Sequence, residues 1–118
     1  MDIELSILNA QSGREDRYLV TLSKKQLTFG QGKHVAICTG IDDENPEWEN
    51  AERPKSILKR DDICPPAGFA KMLMRAWLAW RDGDLNDDTV VEELLSLTDW
   101  LNTITRTKPR SEFWRRNI

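Results

Sequence analysis

One segment of this chain is apolar around most of its circumference, and it constrains how the rest can fold. It runs from Pro66 to Arg81 with the sequence PAGFAKMLMRAWLAWR. At helical spacing its apolar side chains form one broad stripe, made of Phe69, Met72, Leu73, Ala76, Trp77 and Trp80. Because so little of its surface is polar, such a helix has to be covered on most sides. We therefore expect it to be the central helix of its domain.

The residues at both ends of this segment are typical of helix boundaries. Pro65 and Pro66 set the backbone for a first helical turn, where a missing N–H group costs nothing. Asp82 and Gly83 follow the last turn, and glycine commonly ends a helix. The central helix is therefore predicted to span about 66–81.

The first 39 residues show the two-residue periodicity of strands. Polar and apolar residues alternate over 2–7 and 18–23, and two shorter apolar runs follow at 27–29 and 35–39. Short turns rich in glycine and polar residues separate them, which favours an antiparallel meander of four strands. The side chains predicted to share its apolar face are Ile3, Leu5, Ile7, Tyr18, Val20, Leu22, Phe29, Val35 and Ile37.

A second helix is predicted at about 87–105, after the acidic turn that follows the central helix. Its apolar residues recur at helical spacing and predict one buried stripe. That stripe consists of Val90, Leu94, Leu97, Leu101 and Ile104, with Val91 and Leu95 beside it.

These elements together predict an α+β fold in a single domain of 118 residues. Its two layers are a four-stranded antiparallel meander, within about 2–39, and a C-terminal helical hairpin packed on it. A long acidic loop over 40–62 lies between the layers, and a tail follows at 106–118. Prolines at 46 and 54 exclude a continuous helix or a central strand in the loop, which we interpret as either a binding loop or a disordered one.

The net charge is only −3, but the charges are segregated along the chain. Six carboxylates and no base occur between Asp42 and Glu52, and six more between Asp82 and Glu93. The balancing cations gather near the C-terminus. Such a surface repels nucleic acid over much of its area and attracts basic proteins.

Two of the five tryptophans lie in polar surroundings. Trp48 stands among the carboxylates of the loop, and Trp100 lies on the polar side of the second helix. Exposed aromatic residues ringed by charge are typical of protein interfaces. The alternative is that each ring folds back over the edge of the domain.

The segment from Asp82 to Glu93 resembles an EF-hand calcium loop, with Asp82, Asp84 and Asn86 at ligand spacing and Glu93 at the twelfth place. It departs from that pattern at Asp87, where the loop normally has glycine. The simpler interpretation is that these residues start the second helix by capping it and by complementing its dipole. A calcium- or small-ligand-responsive domain is the alternative function.

Nothing in the sequence indicates catalysis, a cofactor or a structural metal. His34 is the only histidine and has no partner at ligand spacing, and no third group is identifiable to orient it towards Cys38. The segment 30–33 lacks the glycine frame of a phosphate loop and predicts a hairpin turn. No apolar run is long enough to span a membrane, and the two cysteines have no paired spacing. We therefore expect a cytoplasmic protein that does not bind membranes.

We therefore expect a non-catalytic protein-binding module with a basic protein partner. Small acidic inhibitors, such as the immunity proteins that neutralise nuclease toxins, are similar in size and charge, although no motif carries that similarity. The residues predicted to bind the partner are Asp42, Asp43, Glu44, Glu47, Trp48, Glu49, Glu52, Asp84, Asp87, Asp88 and Trp100.

Overall fold

The computed structural model describes residues 1–39, 48–51 and 62–107. Five strands precede two helices within these ranges. The elements are β1 (Asp2–Leu8), β2 (Glu15–Leu22), β3 (Leu27–Gln31), β4 (His34–Cys38), β5 (Trp48–Asn50), α1 (Ala67–Arg81) and α2 (Asp87–Thr107). None of the described helices is long and apolar enough to cross a lipid bilayer.

The strands form one antiparallel sheet in the order β1-β2-β3-β4-β5, so each strand pairs with its neighbour in sequence. Short turns make this order possible. The turn between β3 and β4 has two residues, and Gly32 opens it with a φ of 59°, a conformation that favours glycine. The predicted α+β fold, a meander followed by a helical hairpin, is confirmed.

Both helices cover the same face of the sheet, and the core lies between the two layers. The alternating residues of the strands meet the predicted stripe of α1, in which Phe69, Leu73 and Trp77 are fully buried. The indole Nε1 of Trp77 also donates a hydrogen bond of 2.8 Å to the carbonyl oxygen of Ser23. α1 is therefore the central helix that its composition predicts, bound to the sheet by packing and by polar contacts such as this one.

The residues of β4 that face the core differ from those predicted. Ala36 and Cys38 are buried in the core, whereas Val35 and Ile37 are only half-buried. The two-residue turn before β4 sets the register and places Ala36 opposite Phe29, which is buried. The turn geometry therefore overrides the apolar preference of valine and isoleucine, because a shift of one residue would turn every side chain to the other face.

The prediction of four strands was one short, because β5 lies inside the segment predicted as a loop. Its three residues pair with β4, with Glu49 opposite Ile37. Such a short strand has no apolar alternation of its own to mark it. Its position depends on the free edge of β4, which the sequence pattern of 48–50 does not reveal.

The buried face of α2 is also rotated relative to the predicted stripe. Val90 and Leu94 are buried as expected, but Thr98 and Asn102 complete the buried row and Leu95 is 46% exposed. Thr98 donates its hydroxyl to the carbonyl of Leu94 in its own helix, at 2.8 Å. These polar residues can be buried because each has a hydrogen-bonding partner.

Asn102 binds the outer edge of the sheet. Its Oδ1 accepts a hydrogen bond from the backbone N–H of Leu8, and its Nδ2 donates one to the carbonyl oxygen of Ser6, both at 2.9 Å. β1 is an edge strand, so these backbone groups have no strand to pair with on that side. The side-chain amide of Asn102 takes the place of a neighbouring strand over this short stretch.

Candidate functional site

The predicted partner-binding residues fall into three groups in the structure. Asp42, Asp43, Glu44, Glu47 and Glu52 lie outside the described residues. Trp48 and Glu49 lie in β5. Asp84 lies in the turn between the helices, and Asp87, Asp88 and Trp100 lie in α2.

Trp48 folds back on the domain, which is one of the two alternatives for this residue. Its ring is half-buried and packs against the core cluster, next to the position where Cys38 pairs with β5. The indole Nε1 is buried and has no acceptor among the residues that the structure describes. Trp48 therefore packs on the core from the edge strand β5. Its contact with a partner stays a prediction.

Asp87 connects the two helices. Its carboxylate oxygen Oδ1 accepts a hydrogen bond of 2.7 Å from Nε1 of Trp80 in α1. The ammonium group of Lys24 lies 4.6 Å from the centre of the same indole ring, at cation–π distance. Asp87 therefore orients Trp80 and is less available to a partner than the carboxylates further along α2.

The turn before α2 is built as a helix start. The side-chain oxygen of Asn86 accepts hydrogen bonds from both the backbone N–H and the hydroxyl of Thr89, each at 2.8 Å. Asp87 and Asp88 occupy the first turn, where carboxylates complement the helix dipole. Residues 87–107 are helical, so 87–93 do not form the second half of a calcium loop. Within the described ranges, no group of three or more acidic, cysteine or histidine side chains is placed to hold a metal ion.

We predict that Asn86→Ala lowers the free energy of unfolding by about 1 kcal/mol, since it removes the cap from the first turn of α2. Urea denaturation of the two proteins measures the difference. Asn86→Asp serves as the control, because it keeps the capping oxygen and should cost much less. Equal losses in both variants would show that the cap does not stabilise the helix.

The outer face of α2 carries the other predicted residues. We call it the acidic face, and it consists of Asp88, Glu92, Glu93, Leu95, Asp99 and Trp100, all exposed. At helical spacing Asp88, Glu92 and Asp99 follow one another along a single row. Leu95 flanks this row on one side and Trp100 on the other. Each of these two side chains is 46% exposed.

No base compensates these carboxylates within the helix. Between Asp82 and Thr105 the sequence contains no lysine or arginine, and the next base, Arg106, binds Glu15 at 2.8 Å. The charged side chains of the acidic face are therefore all negative, and two large apolar side chains lie at its margins. Such an arrangement can bind a cationic surface that also offers apolar pockets.

Sequence reasoning identified part of the acidic face. Asp88 and Trp100 were predicted as binding residues, but Glu92, Glu93, Leu95 and Asp99 were not. The spacing of 88, 92 and 99, which is four and then seven residues, was the signal for a common row. Leu95 was placed beside the buried stripe because its side chain is apolar, and only the rotation of the helix shows that it is exposed.

The family model described as "Integron cassette protein" matches residues 1–105 of the chain. Among solved structures, the chain is similar to an integron cassette protein from the mobile metagenome of V. cholerae. The two sequences are 32% identical and the structures agree with a TM-score of 0.74. The alignment covers 100% of this chain and 93% of the other. No curated protein matches the chain.

Proposed function

The chain belongs to the integron cassette protein family, and from its own surface we propose that it is a non-catalytic module that binds a basic protein partner. The acidic face of α2 is the proposed contact surface. The predicted acidic residues at 42–52 are a second, separate part of this proposal.

The observation that carries the proposal is the exposure of Leu95 and Trp100 at the margins of a row of carboxylates. Tryptophan is enriched among the residues that contribute most to binding, and here it lies exposed beside a row of carboxylates. Carboxylates between such anchors favour a cationic partner and disfavour nucleic acid. In this proposal the apolar side chains supply affinity, and the carboxylates supply selectivity for a cationic partner.

The dimensions of α2 suit a protein partner. The helix has 21 residues and is therefore about 30 Å long. A typical stable interface removes about 800 Å² from each partner. One side of such a helix, together with the adjacent turn at Asp84, supplies a large share of that area.

The charges contribute mainly to the rate of association. Opposite charges steer two proteins together over distances of about one Debye length, and salt weakens this effect. The apolar anchors then determine how slowly the complex dissociates. A cationic toxin, such as a nuclease with a basic substrate-binding surface, is a partner of this kind. In that case the module acts as an inhibitor or immunity-type protein.

The first experiment identifies the partner by its place of contact. A photo-crosslinking amino acid replaces Ser96, which is exposed on the acidic face beside Trp100. Irradiation of cells that carry the gene with its neighbours should yield an adduct with a basic protein, identified by mass spectrometry. The same amino acid in place of Ser12, in the turn between β1 and β2, should not yield that adduct.

We predict that neutralising the row of carboxylates slows capture of the identified partner. The triple variant Asp88→Asn, Glu92→Gln and Asp99→Asn should reduce the association rate constant about tenfold at low salt, because it removes the steering charges. Stopped-flow or biosensor kinetics at several salt concentrations measure the rate. The difference from the unmodified protein should shrink as the salt concentration rises.

A matched control separates the position of the charges from the total charge. The variant Asp2→Asn and Glu4→Lys changes the net charge by the same three units, at exposed positions on β1. Its association rate should remain close to that of the unmodified protein. If both variants were slowed equally, or neither, the acidic face would not be the contact surface.

The inhibitor role has its own test. If the partner is a toxin, stoichiometric addition of this protein should abolish the toxin's activity, and Trp100→Ala should weaken inhibition more than Thr103→Ala. A partner that retains full activity in the complex would contradict an inhibitory role and would leave a binding role.

A further inference from the structure

A cleft that shares no residue with the acidic face opens where β1 ends and β2 begins. It has a volume of about 350 Å³, which is within the range of small-ligand sites. The end of β1, the turn that follows it, the adjoining residues of β2 and β3, and the segment leading into α1 enclose it. Its apolar lining comes from Ile7, Leu8, Ala10, Phe29 and Pro66.

One wall of the cleft is aromatic. The rings of Tyr18 and Phe29 stack with their centres 4.7 Å apart and an angle of 19° between their planes. The hydroxyl of Tyr18 has no hydrogen-bonding partner among the described residues. Burial, and to a lesser extent the nearby Asp16 carboxylate, raises the pKa of Tyr18, so the hydroxyl keeps its proton at neutral pH.

Among the described residues of the lining, the only charged side chain is the carboxylate of Asp16. Asp16 precedes Tyr18 by two residues in β2, so strand alternation places both side chains on the same face. None of the described residues that line the cleft is a lysine, arginine or histidine. Within the described ranges, the carboxylate of Asp16 accepts one side-chain hydrogen bond, from the amide Nδ2 of Asn9 to Oδ2, at 3.5 Å.

Asn9 is mostly committed to the turn that it begins. Its Oδ1 accepts hydrogen bonds from the backbone N–H groups of Gln11, at 2.9 Å, and Ser12, at 3.2 Å. The long contact from its Nδ2 leaves the Asp16 carboxylate with hydrogen-bonding capacity to spare, because an ionised carboxylate has about four acceptor sites. A half-buried carboxylate beside an aromatic wall favours a cationic ligand.

We propose that this cleft binds a small organic cation, an ammonium group carried on an aromatic or aliphatic body. The ammonium group binds Asp16 and the hydroxyl oxygen of Tyr18, and the apolar body contacts Phe29 and Pro66. Carboxylates and phosphates are excluded, because Asp16 repels them and the described part of the lining holds no base to attract them. This site shares no residue with the acidic face. The proposal of a cation site is therefore tested independently of the proposed function.

Three probes of similar shape test the proposal: benzylamine, benzyl alcohol and benzoate, which carry a positive, a zero and a negative charge at neutral pH. Each is titrated into the 15N-labelled protein, and the amide shifts of the cleft residues are followed by NMR. Benzylamine should bind about tenfold more tightly than benzyl alcohol, since it adds a charge-assisted hydrogen bond. Benzoate should cause no saturable shift. Equal binding of benzylamine and benzyl alcohol, or no binding of benzylamine, would overturn the proposal.

Two variants locate the charge that is recognised. Asp16→Asn should remove the preference for benzylamine over benzyl alcohol. Glu15→Gln, the same change at the adjacent exposed position outside the lining, should preserve it. Should Asp16→Asn fail to fold, Tyr18→Phe should still weaken benzylamine binding, and the probe comparison on the unmodified protein needs no variant. A preference that survives in folded Asp16→Asn would contradict the assignment.

Blocking the cleft provides a test of position that does not depend on charge. Cys64 lines the cleft and is exposed, whereas Cys38 is buried. Partial burial of its thiol raises the pKa of Cys64, so alkylation with iodoacetamide is best carried out at alkaline pH. The alkylated protein, returned to neutral pH, should bind benzylamine at least several-fold more weakly. Unchanged binding would place the cation elsewhere.

Discussion

Replacing Trp77 with alanine is expected to lower the free energy of unfolding by about 3 to 5 kcal/mol, the range for removing a large aromatic residue from a core. The side chain is 0% exposed and lies within the cluster that joins α1 to the sheet. The variant also leaves the carbonyl of Ser23 without its indole donor. A domain of this size is typically stable by about 5 to 15 kcal/mol. The loss is therefore large enough to be measured accurately by urea denaturation, with circular dichroism as the signal.

The matched control is Trp100→Ala, the same chemical change on the exposed face of α2. It should alter the free energy of unfolding by no more than about 0.5 kcal/mol, as surface substitutions usually do. The two variants together also separate stability from binding, because Trp100→Ala is predicted to weaken capture of a partner without destabilising the fold. Similar losses in both would contradict the burial pattern of the two helices.

Asn102→Leu is expected to lower the free energy of unfolding by about 2 to 4 kcal/mol. The leucine fits the volume of a buried position, which is 6% exposed, but it cannot bind the carbonyl of Ser6 or the N–H of Leu8. Leaving a buried donor or acceptor unpaired costs about 1 to 3 kcal/mol for each group. Urea denaturation measures the change. Hydrogen exchange at the amide of Leu8 should accelerate more than the exchange of other β1 amides.

Thr98→Val tests whether any buried polar residue of α2 would behave in the same way. Thr98 lies one turn before Asn102 on the same face, but its hydroxyl binds the Leu94 carbonyl, which the helix already uses. Its replacement should therefore change the free energy of unfolding by less than about 1 kcal/mol. If Thr98→Val proved as costly as Asn102→Leu, the hydrogen bonds to β1 would not be the source of the effect.

The layers of the fold were accessible from the sequence because they depend on local periodicity. The apolar stripe of α1 and the alternation in β1 and β2 each fit only one kind of element, and the structure has them as predicted. The predictions are wrong where a contact between residues distant in sequence determines the structure. The position of β5 depends on the edge of β4, and the phase of β4 depends on a two-residue turn. Neither influence can be recognised from the residues of a five-residue sequence segment alone.

The candidate site was only partly accessible for the same reason. Charge counts located the acidic turn and the start of α2, but they did not show which carboxylates remain free for a partner. Asp87 binds Trp80, seven residues before it, so its role depends on how α1 and α2 pack together. The cleft combines residues from three strands and from the segment before α1, which are separated in the sequence and marked by no motif. Only the folded arrangement brings Asp16, Tyr18 and Phe29 together.

The contact between Asn102 and β1 has a consequence for biosynthesis. Its two hydrogen bonds join residues that are 94 and 96 positions apart in the chain. At ordinary rates of translation, β1 and β2 leave the ribosome on the order of ten seconds before Asn102 is made. During that interval the outer edge of β1 is open to pairing with other nascent chains. The charges of Asp2 and Glu4 on this strand reduce that hazard until the C-terminal helix arrives.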